Sequence, residues 1–129
     1  MVTKAVIKEF KKIVGQENVF SDITDRVAYS YDAAVVDPVV PAIALRPTSG
    51  ETLSRVVHLC NENRLPLTVR GAGTNLSGGT IPASEGVVVL TNALDRIIEI
   101  NEEDMFAVVQ PGVVTAKLAT TVEAKGLFY

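Results

Sequence analysis

The stretch that most constrains this chain runs from Leu67 to Thr80. A short run suited to a β-strand, Leu67–Arg70, is followed by four glycines within nine residues, at 71, 73, 78 and 79. Glycine reaches backbone angles that other residues avoid and leaves room for close approach of a ligand. Upstream, Ala42–Arg46 reads as a strand closed by Pro47. A helix follows to about Asn63, with Thr48-Ser-Gly-Glu51 matching a capping box at its start. Strand, helix and strand then fill about thirty residues, the length of a βαβ unit with parallel strands. The fold class is therefore one that mixes helices with a small sheet, and the glycine loop leaves a buried strand where such sheets bind ligands.

The remaining segments fit around that unit. Residues 3–14 have Val6, Ile7, Phe10, Ile13 and Val14 at helical spacing, with Lys4, Lys8, Glu9, Lys11 and Lys12 opposite. Gly15 is a stop signal for that helix. Ser21–Tyr31 reads as a short helix capped by Ser21 or Asp22, with Tyr29 and Tyr31 packed so that their hydroxyls reach an edge. Ala33–Pro41 is an irregular connector. After the glycine loop come strands at Val87–Leu90, Ile97–Ile100 and Phe106–Gln110, with Asn101–Asp104 as a hairpin turn. Pro111-Gly112 is a tight turn, and Val113–Lys125 is a helix ended by Gly126. The helix before the loop carries Leu53, Val56, Val57 and Cys60 on one face. Residues 1–40 form an N-terminal helical segment and connector; residues 41–129 form the domain proper. The apolar Leu127-Phe-Tyr129 after the helix cap reads as the start of a further segment.

Composition narrows the function. Hydrophobic residues make up 47% and charged residues 21% of 129, too apolar for a disordered chain. The net charge of −3 and the absence of a basic stripe argue against nucleic-acid binding. One cysteine, Cys60, allows no internal disulfide, and with one histidine, His58, it cannot build a zinc site. Cys60 reads as a small buried hydrophobe and His58 as a surface residue. Lysines interrupt the N-terminal apolar positions, unlike a signal peptide, and Asp37, Pro38 and Pro41 break the most apolar stretch. The expected location is the cytoplasm, with membrane attachment only through a partner subunit.

The loop itself suits an anion. Successive backbone N–H groups in a glycine-rich turn form a concave site for phosphate oxygens. Thr74, Asn75 and Ser77 add side-chain donors, and Arg70 brings a positive charge at the strand's exit. Two familiar phosphate loops fail. Gly73-Thr-Asn-Leu-Ser-Gly-Gly-Thr80 has Gly79 where the P-loop needs lysine. The dinucleotide pattern begun at Gly71 puts Leu76 at its third glycine. What is left is a loop fitted to hold a pyrophosphate through its amides. A binding module for another phosphorylated ligand and a flexible loop that binds nothing remain the alternatives.

Four stretches together carry a resemblance: Leu45-Arg-Pro-Thr-Ser-Gly-Glu51, Pro66-Leu-Thr-Val-Arg-Gly-Ala-Gly-Thr-Asn-Leu-Ser-Gly-Gly-Thr80, Val109-Gln-Pro-Gly-Val113 and Gly126-Leu-Phe-Tyr129. From about Ala28 onward the chain resembles the FAD-linked oxidases of the vanillyl-alcohol oxidase superfamily, in particular its glycolate oxidase and D-lactate dehydrogenase branch. The resemblance implies an α+β fold: the first subdomain of a PCMH-type FAD-binding domain, a small mixed sheet with flanking helices behind the N-terminal helical segment. It implies a cofactor site of Arg70, Gly71, Ala72, Gly73, Thr74, Asn75, Ser77, Gly78 and Gly79 around the pyrophosphate, lined also by Pro111 and Gly112. Many relatives attach FAD through a histidine at the position of Thr74, so noncovalent FAD is expected here. It further implies a small 2-hydroxy-acid substrate, a separate electron acceptor, and catalytic groups outside this chain. The chain alone should be inactive and prone to self-association.

Overall fold

The computed structural model describes residues 1–129. Helix α1, Lys4–Val14, is capped by Thr3, whose hydroxyl accepts from the Val6 amide at 3.3 Å, and ends at Gly15, φ +87°. A single 3₁₀ turn, Gln16–Asn18, leads into β1, Val19–Phe20. The expected helix at Ser21–Tyr31 shortens to α2, Ile23–Val27, with Asp22 at its N-cap but no side-chain cap bond. Strand β2 is Ile43–Leu45, helix α3 Gly50–Glu62, β3 Leu67–Arg70 and β4 Val87–Leu90. A hairpin of β5, Ile97–Asn101, and β6, Phe106–Val109, precedes α4, Thr115–Glu123.

The capping box at α3 is present one residue later than the sequence pattern suggests. Ser49 is the N-cap: its Oγ accepts from the Thr52 amide at 3.1 Å, and its own amide donates to Thr52 Oγ1 at 3.0 Å. A threonine in place of glutamate closes the box because its hydroxyl both accepts and donates.

The sheet runs β1-β2-β4-β3, with β1 antiparallel and the others parallel. The βαβ reading holds in sense but not in adjacency, because β4 inserts between β2 and β3. As the inner strand, β4 is buried along its whole length, and its Val87-Val-Val-Leu90 run is the continuous apolar pattern such strands require. Strand β3, expected to be buried, is instead an edge. Val69 is 54% exposed, and only Arg70 at its end is buried.

Alternation along the strands sorts the core into two faces. Ile43, Leu45, Val87 and Val89 meet Val6, Phe10 and Val14 of α1 and Val56 and Cys60 of α3. Ala44, Val88 and Leu90 face the other way, toward Phe20 and Tyr29. Val57, placed on the core face of α3 by spacing, is exposed, and so is Tyr31; Tyr29 packs edge-on against Phe20. The β5–β6 hairpin forms a separate two-stranded sheet with little cover. Its residues Ile100, Met105 and Phe106 join Leu118, Val122 and Leu127 around an apolar hollow of about 80 Å³, beside which Phe128 is 91% exposed. Gly126, φ +76°, closes α4: its amide bonds Glu123 O and that of Leu127 bonds Val122 O, at 3.0 and 3.1 Å.

Candidate functional site

The glycine loop leaves the sheet at Arg70 and is shaped by two positive-φ residues, Gly73 and Gly78, both at +71°. No backbone amide from Gly71 to Gly79 donates a hydrogen bond inside the chain. Backbone donors are nearly always paired, so a run of free ones must face water or a ligand. The loop is thus a row of unspent donors.

The structure divides the expected site residues into two groups. Gly71, Ala72 and Thr74 line a cleft of about 370 Å³ whose opposite wall is Pro111 and Gly112, continuing through Val113–Thr115. Asn75, Ser77, Gly78 and Gly79 fold back toward the connector. There the Ala33 amide donates to Asn75 O at 3.2 Å, and a Cβ on Gly78 would lie 3.7 Å from Val36 Cγ2. Asn92, which the sequence reading did not single out, also lines the cleft.

Pro111-Gly112 is placed by the turn after β4. Leu94 N donates to Thr91 O, and Gly112 N to Leu94 O, each at 2.8 Å. A Cβ on Gly112 would overlap the Thr91 carbonyl oxygen, so only glycine lets this wall pack down. Beyond it, α4 begins at Val114 without a side-chain cap, and the amides of Val114, Thr115 and Ala116 have no partner in the chain. Helix N-terminal amides carry a partial positive charge.

Arg70 behaves differently from the expectation that it presents charge to a ligand. It is 7% exposed, and its Nη1 donates to Tyr31 O at 2.6 Å and to Thr80 Oγ1 at 3.3 Å. Its guanidinium lies 5.9 Å from the Tyr29 ring centre, and a Cβ on Gly73 would overlap it. Arg70 therefore supports the loop from beneath. Beside it stands Asp32, which falls between the helix expected at Ser21–Tyr31 and the connector Ala33–Pro41 and carried no signal in the sequence. Its Oδ1 accepts from the Ala34 amide at 2.9 Å; its Oδ2 meets Asn75 Nδ2 at 2.5 Å and Thr80 Oγ1 at 3.3 Å. The Ala34 amide holds the Asp32 carboxyl below its ordinary range, partly opposed by burial and helped by Asn75 and Thr80.

His58 lies on the surface, 3.2 Å from Glu62 Oε1, and Cys60 is buried, its thiol pushed up to about 11 by burial. Neither approaches the cleft lining. No group of acidic, histidine and cysteine side chains could hold a metal ion, and no helix is long and apolar enough to cross a membrane.

The cleft has the chemistry of an anion site. Its lining has no carboxylate, its two walls carry free amides, and Gly71 has open space for a phosphate to approach. Residues 41–129 match the sequence profile described as FAD binding domain. The chain is 41% identical over its full length to the glycolate oxidase subunit GlcD of Bacillus subtilis. It is 36% identical to D-2-hydroxyglutarate dehydrogenase of Stutzerimonas stutzeri, also over its full length, and 31% identical over 99% of its length to D-lactate dehydrogenase of Anaerostipes hadrus. It spans 27–28% of the length of these relatives. Among solved structures, p-cresol methylhydroxylase superposes over 95% of this chain and 25% of its own, with a TM-score of 0.84 at 24% identity, a likeness of fold. The 4-ethylphenol oxidase of Gulosibacter chungangensis gives 0.83 at 29% identity, over 95% of this chain and 24% of its own. The α+β fold and the FAD cofactor expected from the sequence thus agree with these matches, and the chain belongs to the FAD binding domain family.

Proposed function

We propose that this chain is the pyrophosphate-holding part of a flavin-dependent dehydrogenase that oxidises a small D-2-hydroxy acid of the glycolate or D-lactate type. The observation that carries the reading is the row of unspent amides from Gly71 to Gly79, set across a cleft from Pro111-Gly112 and the uncapped start of α4. FAD, when bound, supplies the redox chemistry by accepting two electrons from the substrate. The chain's own residues bind and orient it. The cleft residues Gly71, Ala72, Thr74, Pro111 and Gly112 receive the phosphates; Asn75, Ser77, Gly78 and Gly79 hold the loop's far half; Arg70 braces both. Thr74 cannot form a histidyl-flavin bond, so this chain holds FAD noncovalently and acid precipitation of the full-length protein releases all flavin; retained flavin refutes this unless it maps to a residue outside this chain.

The names of the relatives support the substrate class, and the electron acceptor is a separate molecule or subunit. The reading places the protein in the cytoplasm, peripheral to the membrane where a partner subunit carries it there. The 129-residue chain alone performs no oxidation and binds FAD weakly. Each amide–phosphate bond contributes about 1.5–3 kcal/mol, against roughly 4–15 kcal/mol for immobilising the ligand. Without cover for the flavin and adenine rings, affinity near millimolar is expected. The uncovered apolar surface around Leu127, Phe128 and Tyr129 favours self-association. The test has two arms. Calorimetric titration of the chain with FAD should give no micromolar binding. The full-length protein should carry FAD whose absorbance bleaches anaerobically with glycolate or D-lactate. Flavin that no D-2-hydroxy acid reduces would refute the substrate class; a full-length protein that binds no FAD would refute the reading as a whole.

A further inference from the structure

We propose that Asp32, in the connector ahead of the sheet, is a positioning residue that sets the shape of the FAD-facing glycine loop by gripping Asn75 and Thr80 together. The inference rests on the reading of this loop as the pyrophosphate cradle. It begins from a mechanical problem. No amide from Gly71 to Gly79 is bonded inside the chain, and the carbonyls of that stretch take only the Ala33 amide, at Asn75 O, and the Ile81 amide, at Gly78 O, so its backbone is lightly tied. Its shape depends on side-chain straps, and those straps converge on one carboxylate.

Asp32 is 8% exposed. Its Oδ1 is fixed by the Ala34 amide at 2.9 Å, which orients the carboxylate. Its Oδ2 then reaches Asn75 Nδ2 at 2.5 Å and Thr80 Oγ1 at 3.3 Å. Asn75 and Thr80 bracket Leu76–Gly79, so one oxygen closes that half of the loop into a ring. Thr80 Oγ1 also lies 3.1 Å from Asn75 Oδ1, and its single proton serves either that oxygen or Asp32 Oδ2. Thr80 also accepts from Arg70 Nη1 at 3.3 Å, and the same guanidine nitrogen holds Tyr31 O, one residue before Asp32. The Ala33 amide adds a main-chain strap to Asn75 O at 3.2 Å. The connector from Tyr31 to Ala34 thus clamps the loop, and Asp32 is its central acceptor.

A carboxylate beneath a phosphate cradle also has a cost, because like charges repel. The two effects of Asp32 predict opposite signs for its neutral variant. If charge dominates, Asp32→Asn binds FAD more tightly. If the clamp dominates, Asp32→Asn binds more weakly, because an amide has one acceptor oxygen and its N–H must then face either the Ala34 amide or the Asn75 and Thr80 donors. The clamp reading follows from the number of donors the carboxylate satisfies.

The experiment measures the FAD dissociation constant of full-length apo-protein by flavin fluorescence, alongside its melting temperature without FAD. Asp32→Asn should bind about tenfold more weakly, a loss of ~1.4 kcal/mol. The reciprocal double variant, Asp32→Asn with Asn75→Asp, restores a donor–acceptor pair and should recover most of that loss, which a general loss of stability would not allow. Thr80→Val, which keeps the shape and removes the shared hydroxyl, should weaken FAD severalfold. Where Asp32→Asn does not fold, Thr80→Val and the reciprocal pair decide by the same criterion. Folded variants that bind FAD as tightly as wild type, or more tightly, overturn the proposal. Gly71→Ala separates the two readings. If it binds FAD normally, the cradle assignment fails; if it is impaired while Asp32→Asn is not, only the clamp fails.

Discussion

Replacing Gly73 by alanine should destabilise the apo-protein by about 2.5–5 kcal/mol, whereas the same change at Gly71 should leave stability within about 0.5 kcal/mol. Two costs add at Gly73. Its φ of +71° costs a residue with a Cβ roughly 1–2 kcal/mol. The new Cβ would also overlap the Arg70 guanidinium. That group is the end of a long side chain, but it is buried and bonded to Tyr31 O at 2.6 Å. Moving it breaks a charged hydrogen bond worth about 1.5–3 kcal/mol. At Gly71 neither cost applies: φ is not positive, and the nearest atom to a Cβ is Thr91 Oγ1 at 3.9 Å. Thermal denaturation of the two apo-variants measures the difference, expected to be on the order of 10 °C for a domain of this size. FAD affinity should fall in both, because Gly71 lines the cleft and Gly73 sets the loop's turn. If Gly73→Ala melts within about 2 °C of Gly71→Ala, then Arg70 does not brace the loop, and the strain assigned to Gly73 is wrong.

Three further outcomes follow from local geometry. Arg64 closes α3 in the left-handed region, φ +52°, with Leu65 N on Cys60 O at 2.9 Å, so Arg64→Gly should raise stability by about 0.5–1 kcal/mol in a denaturant titration. Cys60 is 2% exposed with its thiol raised to about 11, so at mildly alkaline pH a thiol reagent should label it slowly in the native protein and rapidly in denaturant; rapid native labelling would contradict its burial. The Asp32 carboxyl is held below its ordinary value, so its contribution to stability is fully present above about pH 4 and is lost as pH falls through the lower native value. Acid denaturation curves of wild type and Asp32→Asn should therefore converge at low pH, and curves that stay parallel throughout would refute that contribution.

The sequence by itself determined what short-range physics controls. Helix α1 was legible from its apolar spacing and Gly15, and Gly126 as the end of α4 from glycine's access to positive φ. Strand β4 was legible as four consecutive apolar residues, and the glycine loop as an irregular segment from its composition and its place after a strand. Each signal lies within a few residues of the feature it predicts. The capping box at α3 came out one residue off because two overlapping Ser/Thr patterns compete there, and only the hydrogen bonds at Ser49 choose between them.

Only the tertiary structure decided what depends on partners far along the chain. The position of β4 between β2 and β3 turns β3 into an edge and leaves Val69 exposed, though its residue type suits a core. Strand β1 is two residues long and takes its identity from pairing with β2. Long-range contacts also split the loop, sending Gly71, Ala72 and Thr74 to the cleft with Pro111-Gly112 and folding Asn75 and Gly78 onto the connector. Arg70, read as a charge for the ligand, became the brace beneath it because Tyr31 and Thr80 converge on its guanidinium. Asp32 had no signal at all: it lies 43 residues from Asn75 and 48 from Thr80. Periodicity and turn chemistry act over a few residues, whereas a buried carboxylate is defined by whichever donors the completed fold brings to it.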